Sequence, residues 1–203
     1  MKPTIIAMDL EGVMIPEIWI AFAEKTGIEK LRLTTRDITD YNELMKMRLS
    51  ILKENKLKLS DIQDVIKTLD PLPGAVEYVN WIKSKAQLII LSDTYYEFAH
   101  PLMEKMGFPT LFCHSLEVDE NNFIVDYKIR VPDPKRKAVI NFKNLNFRVI
   151  AIGDSYNDTT MLKEAHTGIL FHAPENIQKE FPQFKAFEEF DDLKTELERL
   201  MAE

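Results

Sequence analysis

Cysteine is almost missing: Cys113 is the single one in 203 residues, so an internal disulfide is unavailable and a disulfide scaffold is excluded. Glycine is scarce, at six, and the chain has neither internal repeats nor low-complexity segments, which excludes fibrous and solenoid architectures. No apolar run approaches a membrane span; Leu88 to Leu91 is representative of those present. Asp9 and Glu11 interrupt the only early apolar stretch, so no signal peptide is expected. Positive charge is outweighed, with 26 basic against 33 acidic residues and a formal charge of −7, so neither nucleic acid nor a membrane surface is an expected partner. A cytoplasmic location is the resulting expectation. What remains is an ordinary globular composition, 45% hydrophobic and 29% charged, sufficient for one core with a small accessory module.

Compact apolar runs at Thr4 to Met8, Gln87 to Leu91 and Arg148 to Ile152, with a weaker one at Gly168 to Phe171, predict buried strands. Helical patterns separate them, which predicts an α/β fold, a doubly wound parallel sheet of Rossmann-like form. In such a sheet, ligand chemistry gathers at the carboxyl ends of the strands. The first three runs end at Asp9, at Ser92-Asp93 and at Gly153-Asp154.

Roughly 75 residues separate the first two runs, where a βα unit needs about 30. The excess predicts a helical insertion over 16–73, leaving 1–15 and 74–203 as the core. Within it, Ile18, Trp19, Phe22 and Ala23 share a helical face that Gly27 closes. Asp40 with Glu43, and Ser60 with Gln63, have the spacing of capping boxes for two further helices. Pro71 and Pro73-Gly74 end the insertion. Later, Phe123, Val125, Tyr127, Ile129 and Val131 alternate after Asn121-Asn122, predicting a β-hairpin with these five on one face. Leu193, Leu197 and Leu200 mark a last amphipathic helix.

Asp9 and Glu11 are two acids two apart at a strand end, able to face one cavity, with Gly12 permitting a tight turn. A capped turn with Glu11 in water explains the same pentapeptide. Ser92-Asp93-Thr94 suits an anion at a helix N-terminus, or plain helix capping. Gly153-Asp154-Ser155-Tyr156-Asn157-Asp158 sets two more carboxylates beside a turn glycine; an Asp N-cap accounts for one of them only. Asp9, a main-chain carbonyl near Glu11, and Asp154 offer oxygen ligands of the kind Mg²⁺ takes. Of the basic run Lys135-Arg136-Lys137, Lys135 follows Pro134 at a helix start and is the candidate to point inward, against a solvated helix end.

Asp9-x-Glu11, Ser92, Lys135 and Gly153-Asp154-x-x-Asn157-Asp158, in that order with a helical insertion after the first, resemble the haloacid dehalogenase superfamily of phosphotransferases. Asp9 to Val13, Pro16 to Glu24 and Gly153 to Leu162 are most similar to its phosphoserine phosphatases, in particular the bacterial subgroup that also moves phosphate from phosphoserine to homoserine. Glu11 replaces the usual Asp, and Val13 the usual Thr or Ser, a departure the subgroup shares at the Glu.

The resemblance implies Mg²⁺ held by Asp9, Glu11 through its carbonyl, and Asp154. It implies Asp9 as nucleophile, Glu11 as general acid and base, and Ser92 and Lys135 stabilising phosphoryl charge. Asn157 and Asp93 would contact substrate, and Asp158 would orient Lys135 or the metal shell. The insertion corresponds to a type 1 cap, and its Arg48 and Glu17 to readers of the substrate carboxylate and ammonium. Spacing alone also allows Arg48 to snorkel past Leu44. The expected partners are phosphoserine and the acceptor homoserine, within serine and threonine biosynthesis; a homodimer is compatible with the sequence. Two other readings stand beside this: a phosphatase for another small phosphorylated metabolite, and a phosphoacceptor signalling domain. His100, His114, His166 and His172 lack metal-ligand spacing and are expected to be structural or exposed. Trp19 is expected in the core of the cap and Cys113 as a buried small hydrophobe.

Overall fold

The structure, a computed structural model, describes residues 2–35, 37–38 and 40–202. The apolar run at the start forms β1 (Thr4–Met8), followed by α1 (Ile18–Thr26), a 3-10 turn (Glu29–Arg32), α2 (Tyr41–Glu54), α3 (Leu59–Thr68) and α4 (Ala75–Lys85). The chain continues through β2 (Gln87–Tyr95), α5 (Tyr96–Lys105), β3 (Thr110–Val118), β4 (Ile124–Lys128), α6 (Pro134–Asn144) and β5 (Arg148–Gly153). It ends with a 3-10 turn (Tyr156–Asp158), α7 (Thr159–Glu164), β6 (Thr167–Phe171), α8 (Glu175–Glu180), β7 (Lys185–Phe187) and α9 (Phe190–Ala202).

The strands form one sheet in the order β4-β3-β2-β1-β5-β6-β7. Every neighbouring pair is parallel except β3 with β4. From β1 the chain winds outward to β4, then returns to the other side of β1 with β5. That reversal opens a crevice beyond the carboxyl ends of β1, β2 and β5, where an open α/β sheet takes its ligand. Alternate residues of β1 feed opposite faces: Ile6 and Met8 pack with α1, α3, α4, α5 and α9, while Ile5 and Ala7 pack with α6, α7 and α8. Both faces of the sheet are therefore covered, which is why β1 and β5 read as unbroken apolar runs.

The segment between β1 and α4 is held at its two ends by one hydrogen bond, Leu72 N to Met14 O at 2.8 Å. Gly27 takes the left-handed conformation, φ 69°, that closes α1. The Asp40 carboxylate accepts from Asn42 N and Glu43 N at 2.8 and 3.2 Å and starts α2.

Three expectations need correction. Helix α3 is capped at Lys58, whose N–H donates to Asp61 at 2.7 Å, and not by Ser60, whose N–H instead reaches Asn122 Oδ1 at 2.9 Å. The hairpin exists, but a register shift between Glu117 and Val118 turns Ile124 inward opposite Val118, leaving Val125, Ile129 and Val131 exposed. The second strand does not stop at Leu91; it bulges and resumes pairing at Tyr95 with His114. Ser92 thus lies within β2, four residues before α5 begins, and is not at a helix N-terminus. Among the described residues no helix is long and apolar enough to cross a membrane.

Candidate active site

A cavity of about 540 Å³ opens at the carboxyl ends of β1, β2 and β5, under the segment that carries α1 and α2. It is lined by Asp9, Glu11, Ser92, Asp93, Lys135, Asp154 and Asn157 from the sheet side, and by Glu17, Trp19, Tyr41 and Arg48 from the helices opposite. Every residue singled out in the sequence for chemistry lines it except Asp158, which lies directly beneath.

Lys135, on the first turn of α6, is 3% exposed and donates to Asp9 Oδ1 and Asp158 Oδ1, each at 2.7 Å. Pro134 at the helix start fixes the turn that aims this lysine inward, while Arg136 and Lys137 stay in solvent. Asp158 is fully buried. Its other oxygen accepts from Asp154 N at 3.0 Å and Ser155 N at 3.1 Å, so it braces the loop that presents Asp154. Two glycines make this approach feasible. A Cβ at Gly153 would stand 2.4 Å from the Asp158 carboxyl carbon, and one at Gly12, where φ is +80°, would stand 2.8 Å from Asp154 Oδ2.

Asp9, Asp154 and Asp158 are all buried, with carboxylate oxygens within 4.8 Å of one another. Burial, then the charges of Asp158 and Asp154, push the Asp9 carboxyl well above the ordinary range despite Lys135. The Lys135 ammonium is held well above its usual value: burial opposes the charge, and Asp158, Asp9 and Asp93 outweigh burial. One ammonium among three carboxylates leaves negative charge over. An all-oxygen, anionic donor set with that surplus fits a hard divalent cation such as Mg²⁺.

Glu11 also lines the cavity, but it is not a free acid facing water. Its Oε2 accepts the N–H of Ile18 at 2.9 Å, so the carboxylate sits on the first turn of α1. Burial raises the Glu11 pKa, with the hydrogen bonds from Ile18 and Thr94 working against it. Ser92 Oγ accepts from Thr94 N at 3.2 Å. Asp93 accepts from Asn157 Nδ2 at 2.8 Å and lies 3.7 Å from Lys135 Nζ and 3.6 Å from His114 Nε2. Burial would raise its pKa, yet Lys135, His114 and Asn157 together hold it below the ordinary range.

Across the cavity, Arg48 does not snorkel outward. It is 6% exposed, its guanidinium carbon stands 4.4 Å from the centre of the Trp19 ring, and one nitrogen donates to Leu33 O at 2.9 Å. Its Nε is buried with no hydrogen-bond partner, and burial lowers its pKa. Trp19 is core, as expected, and also a platform for this cation. Cys113 is buried, and burial pushes its thiol up to about 12. His100 and His166 are exposed, whereas His114 is buried against the cavity. Its missing signal was spatial: β3 lies beside β2 in the sheet, which no sequence spacing reports.

A buried strand-end acid, a lysine bonded to it and an acidic loop after β5 thus meet at one end of the sheet, and a family match makes the protein a hydrolase. The haloacid dehalogenase-like hydrolase family matches residues 4–166, and the chain belongs to that family. It is 64% identical over 192 residues to phosphoserine phosphatase ThrH of Pseudomonas aeruginosa, covering 95% of this chain and 94% of that one. Its fold is similar to a substrate-bound phosphoserine phosphatase, with TM-score 0.77, 20% identity and coverage of 98% and 99% of the two chains. It is also similar to a phospho-aspartyl intermediate analogue of a phosphoserine phosphatase, with TM-score 0.75, 23% identity and coverage of 92% and 93%.

Proposed function

We propose that this protein is a Mg²⁺-dependent phosphoserine phosphatase that works through a phosphoryl group on Asp9 and also transfers that group to homoserine. The observation that carries the reading is a pairing of opposites across one cavity. The Asp9 and Lys135 pair lies at its sheet end, and Arg48, with an unpartnered buried Nε, lies beside Glu17 at the other. Phosphoserine presents a phosphate at one end and a carboxylate with an ammonium at the other, so each end of the cavity has a complementary partner. The Pseudomonas relative's name supports the same substrate.

In this reading residues 16–73 form a cap over a core of 1–15 and 74–203. Asp9, the Glu11 carbonyl and Asp154 would hold Mg²⁺, with Asp158 bracing the loop. When bound, Mg²⁺ offsets the repulsion between the Asp9 carboxylate and the phosphoryl oxygens. Asp9 attacks phosphorus in line; the bond to the seryl oxygen breaks, and Glu11 donates the proton that oxygen takes. A raised Glu11 pKa suits a group that must be protonated for that step. Glu11 then accepts a proton from water, or from the homoserine hydroxyl, as that oxygen takes the phosphoryl group and frees Asp9. Lys135 and Ser92 stabilise the equatorial oxygens, and Asn157 and Asp93 hold the substrate side. A bidentate Arg48 contact to the substrate carboxylate completes the guanidinium's bonding. The protein acts as a cytoplasmic enzyme on small molecules.

The test incubates the protein with phosphoserine and Mg²⁺, with and without homoserine. Metal-dependent release of phosphate, with homoserine phosphate forming when the acceptor is present, is expected. Release from aryl phosphates alone would shift the reading to another small phosphorylated metabolite, and no release at all would overturn it.

A further inference from the structure

His114 is the one buried histidine of the cavity wall, 3% exposed and carried on β3 beside the bulge of β2. Its Nδ1 accepts the Arg130 N–H at 3.3 Å. The proton of the neutral ring therefore sits on Nε2, which stands 3.6 Å from Asp93 Oδ1. The rings of Tyr41 and Tyr95 pack against the imidazole with centroids 6.5 and 6.3 Å away, and their hydroxyls join each other at 2.7 Å. The imidazole is thus flanked by two aromatic rings that are joined to each other. Tyr41 also donates to the Asp93 carbonyl at 3.2 Å, so Asp93 is held through its backbone as well.

Asp93 in turn is hydrogen-bonded by Asn157 and stands near Lys135. Its Oδ2 takes one N–H of Asn157 at 2.8 Å, and because a carboxylate only accepts, this contact sets the sense of the amide, whose oxygen lies against Ser155 Oγ. Lys135 spends two of its three N–H groups on Asp9 and Asp158, and its 3.7 Å to Asp93 Oδ2, like the 3.6 Å from His114 Nε2 to Oδ1, is an ion-pair distance longer than a hydrogen bond. An anion beside an ammonium closes such a gap readily, because the charge-assisted bond favours 2.7–2.9 Å. Were Asp93 free to swing, it would occupy the lysine proton that a phosphoryl oxygen needs and abandon Asn157.

We propose that His114 is a positioning residue: with Nε2 facing Oδ1 of Asp93 at ion-pair distance, it restrains that carboxylate from closing on Lys135 and keeps it on Asn157, leaving the third Lys135 N–H for the phosphoryl group. The inference rests on the phosphatase reading above. It goes beyond it in placing a residue of β3, outside every motif of the sequence, in control of the Asp93 carboxylate that links Lys135 and Asn157.

The test compares His114→Leu, which removes the donor, with His114→Gln, whose side-chain amide nitrogen can stand where Nε2 stands. His114→Leu should lower kcat for phosphoserine about tenfold with KM within about twofold, and His114→Gln should recover most of the turnover. Adding Asp93→Asn to His114→Leu should cost nothing beyond Asp93→Asn alone, since the charge that His114 restrains is gone. Proton–nitrogen NMR should show the Asn157 side-chain amide displaced in His114→Leu and near its native position in His114→Gln. Equal losses in the two variants, losses that multiply in the double variant, or an unmoved Asn157 amide would overturn the proposal. Should His114→Leu fail to fold, His114→Asn makes the same comparison, because it too lacks a donor at the Nε2 position. If the native enzyme released no phosphate from phosphoserine, the function would be wrong, and the amide resonances would decide the positioning claim by themselves.

Discussion

Two buried cations face each other across the cavity, and they are treated in opposite ways. Lys135, at the sheet end, is saturated by carboxylates at 2.7 and 2.7 Å with a third at 3.7 Å. Arg48, on the helical side, has one backbone oxygen at 2.9 Å, a methionine sulfur at 3.7 Å, an aromatic face and an orphaned Nε. A buried charge costs several kcal/mol unless it is paired, so the first cation is charge-paired within the protein, while the second, under the proposed function, is completed by the substrate carboxylate.

The contrast is tested most severely at the saturated end. Asp9→Asn should lower phosphoserine turnover by about a thousandfold or more while the protein still folds, because the isosteric amide keeps the shape and removes the nucleophile. Retention of more than a tenth of the activity would refute the role. Lys135→Met strips the ammonium from three buried carboxylates and should cost about 3–5 kcal/mol in chemical denaturation without metal, besides abolishing turnover. A loss under about 1 kcal/mol would show that the acids are not held by it.

Arg48→Ala should act on recognition instead. KM for phosphoserine should rise roughly 10–100-fold, the value of one or two hydrogen bonds to charge, with little change for an aryl phosphate. Equal effects on both substrates would remove the carboxylate-reading role and, with it, the contrast between the two cations.

Asp9 and Glu11 are both raised by burial, so in metal-free protein their contribution to stability is full below the unfolded carboxylate value and is lost as pH rises through the folded one. Mg²⁺ needs Asp9 ionised, whereas Glu11 would offer it only a main-chain carbonyl. The gain in Tm on adding Mg²⁺ over EDTA should therefore widen as pH rises from 5 to 8, and a constant gain would contradict it. The smallest effect belongs to the contact between the two regions: Tyr127→Phe deletes the hydrogen bond to Asn42 at the start of α2 and should cost about 1 kcal/mol or less.

The sequence makes the saturated end legible because its parts are local. Apolar runs ending in Asp9 and in Gly153-Asp154 announce both the strands and the acids at their ends, and Pro134 announces the turn that aims Lys135. The Asp40 cap and the Gly27 stop are equally local signals, and both appear in the structure. What escapes the sequence is what depends on neighbours. The bulge that carries β2 through Ser92 to Tyr95 exists because Tyr95 pairs with His114 on another strand. The exposure of Val125 follows from a register shift against β3. The short β7 needs β6 already in place. For Asp158 the residues alone offer an N-cap; its pairing with Lys135 is expected only through the family resemblance, and it depends on the approach of α6.

The most direct measurement is mass spectrometry of the enzyme quenched in acid within milliseconds of mixing with phosphoserine and Mg²⁺. A phosphoryl group on the peptide containing Asp9, absent from Asp9→Asn and depleted faster when homoserine is added, is the predicted result. Label on any other residue, or steady phosphate release with Asp9 never modified, would contradict the account.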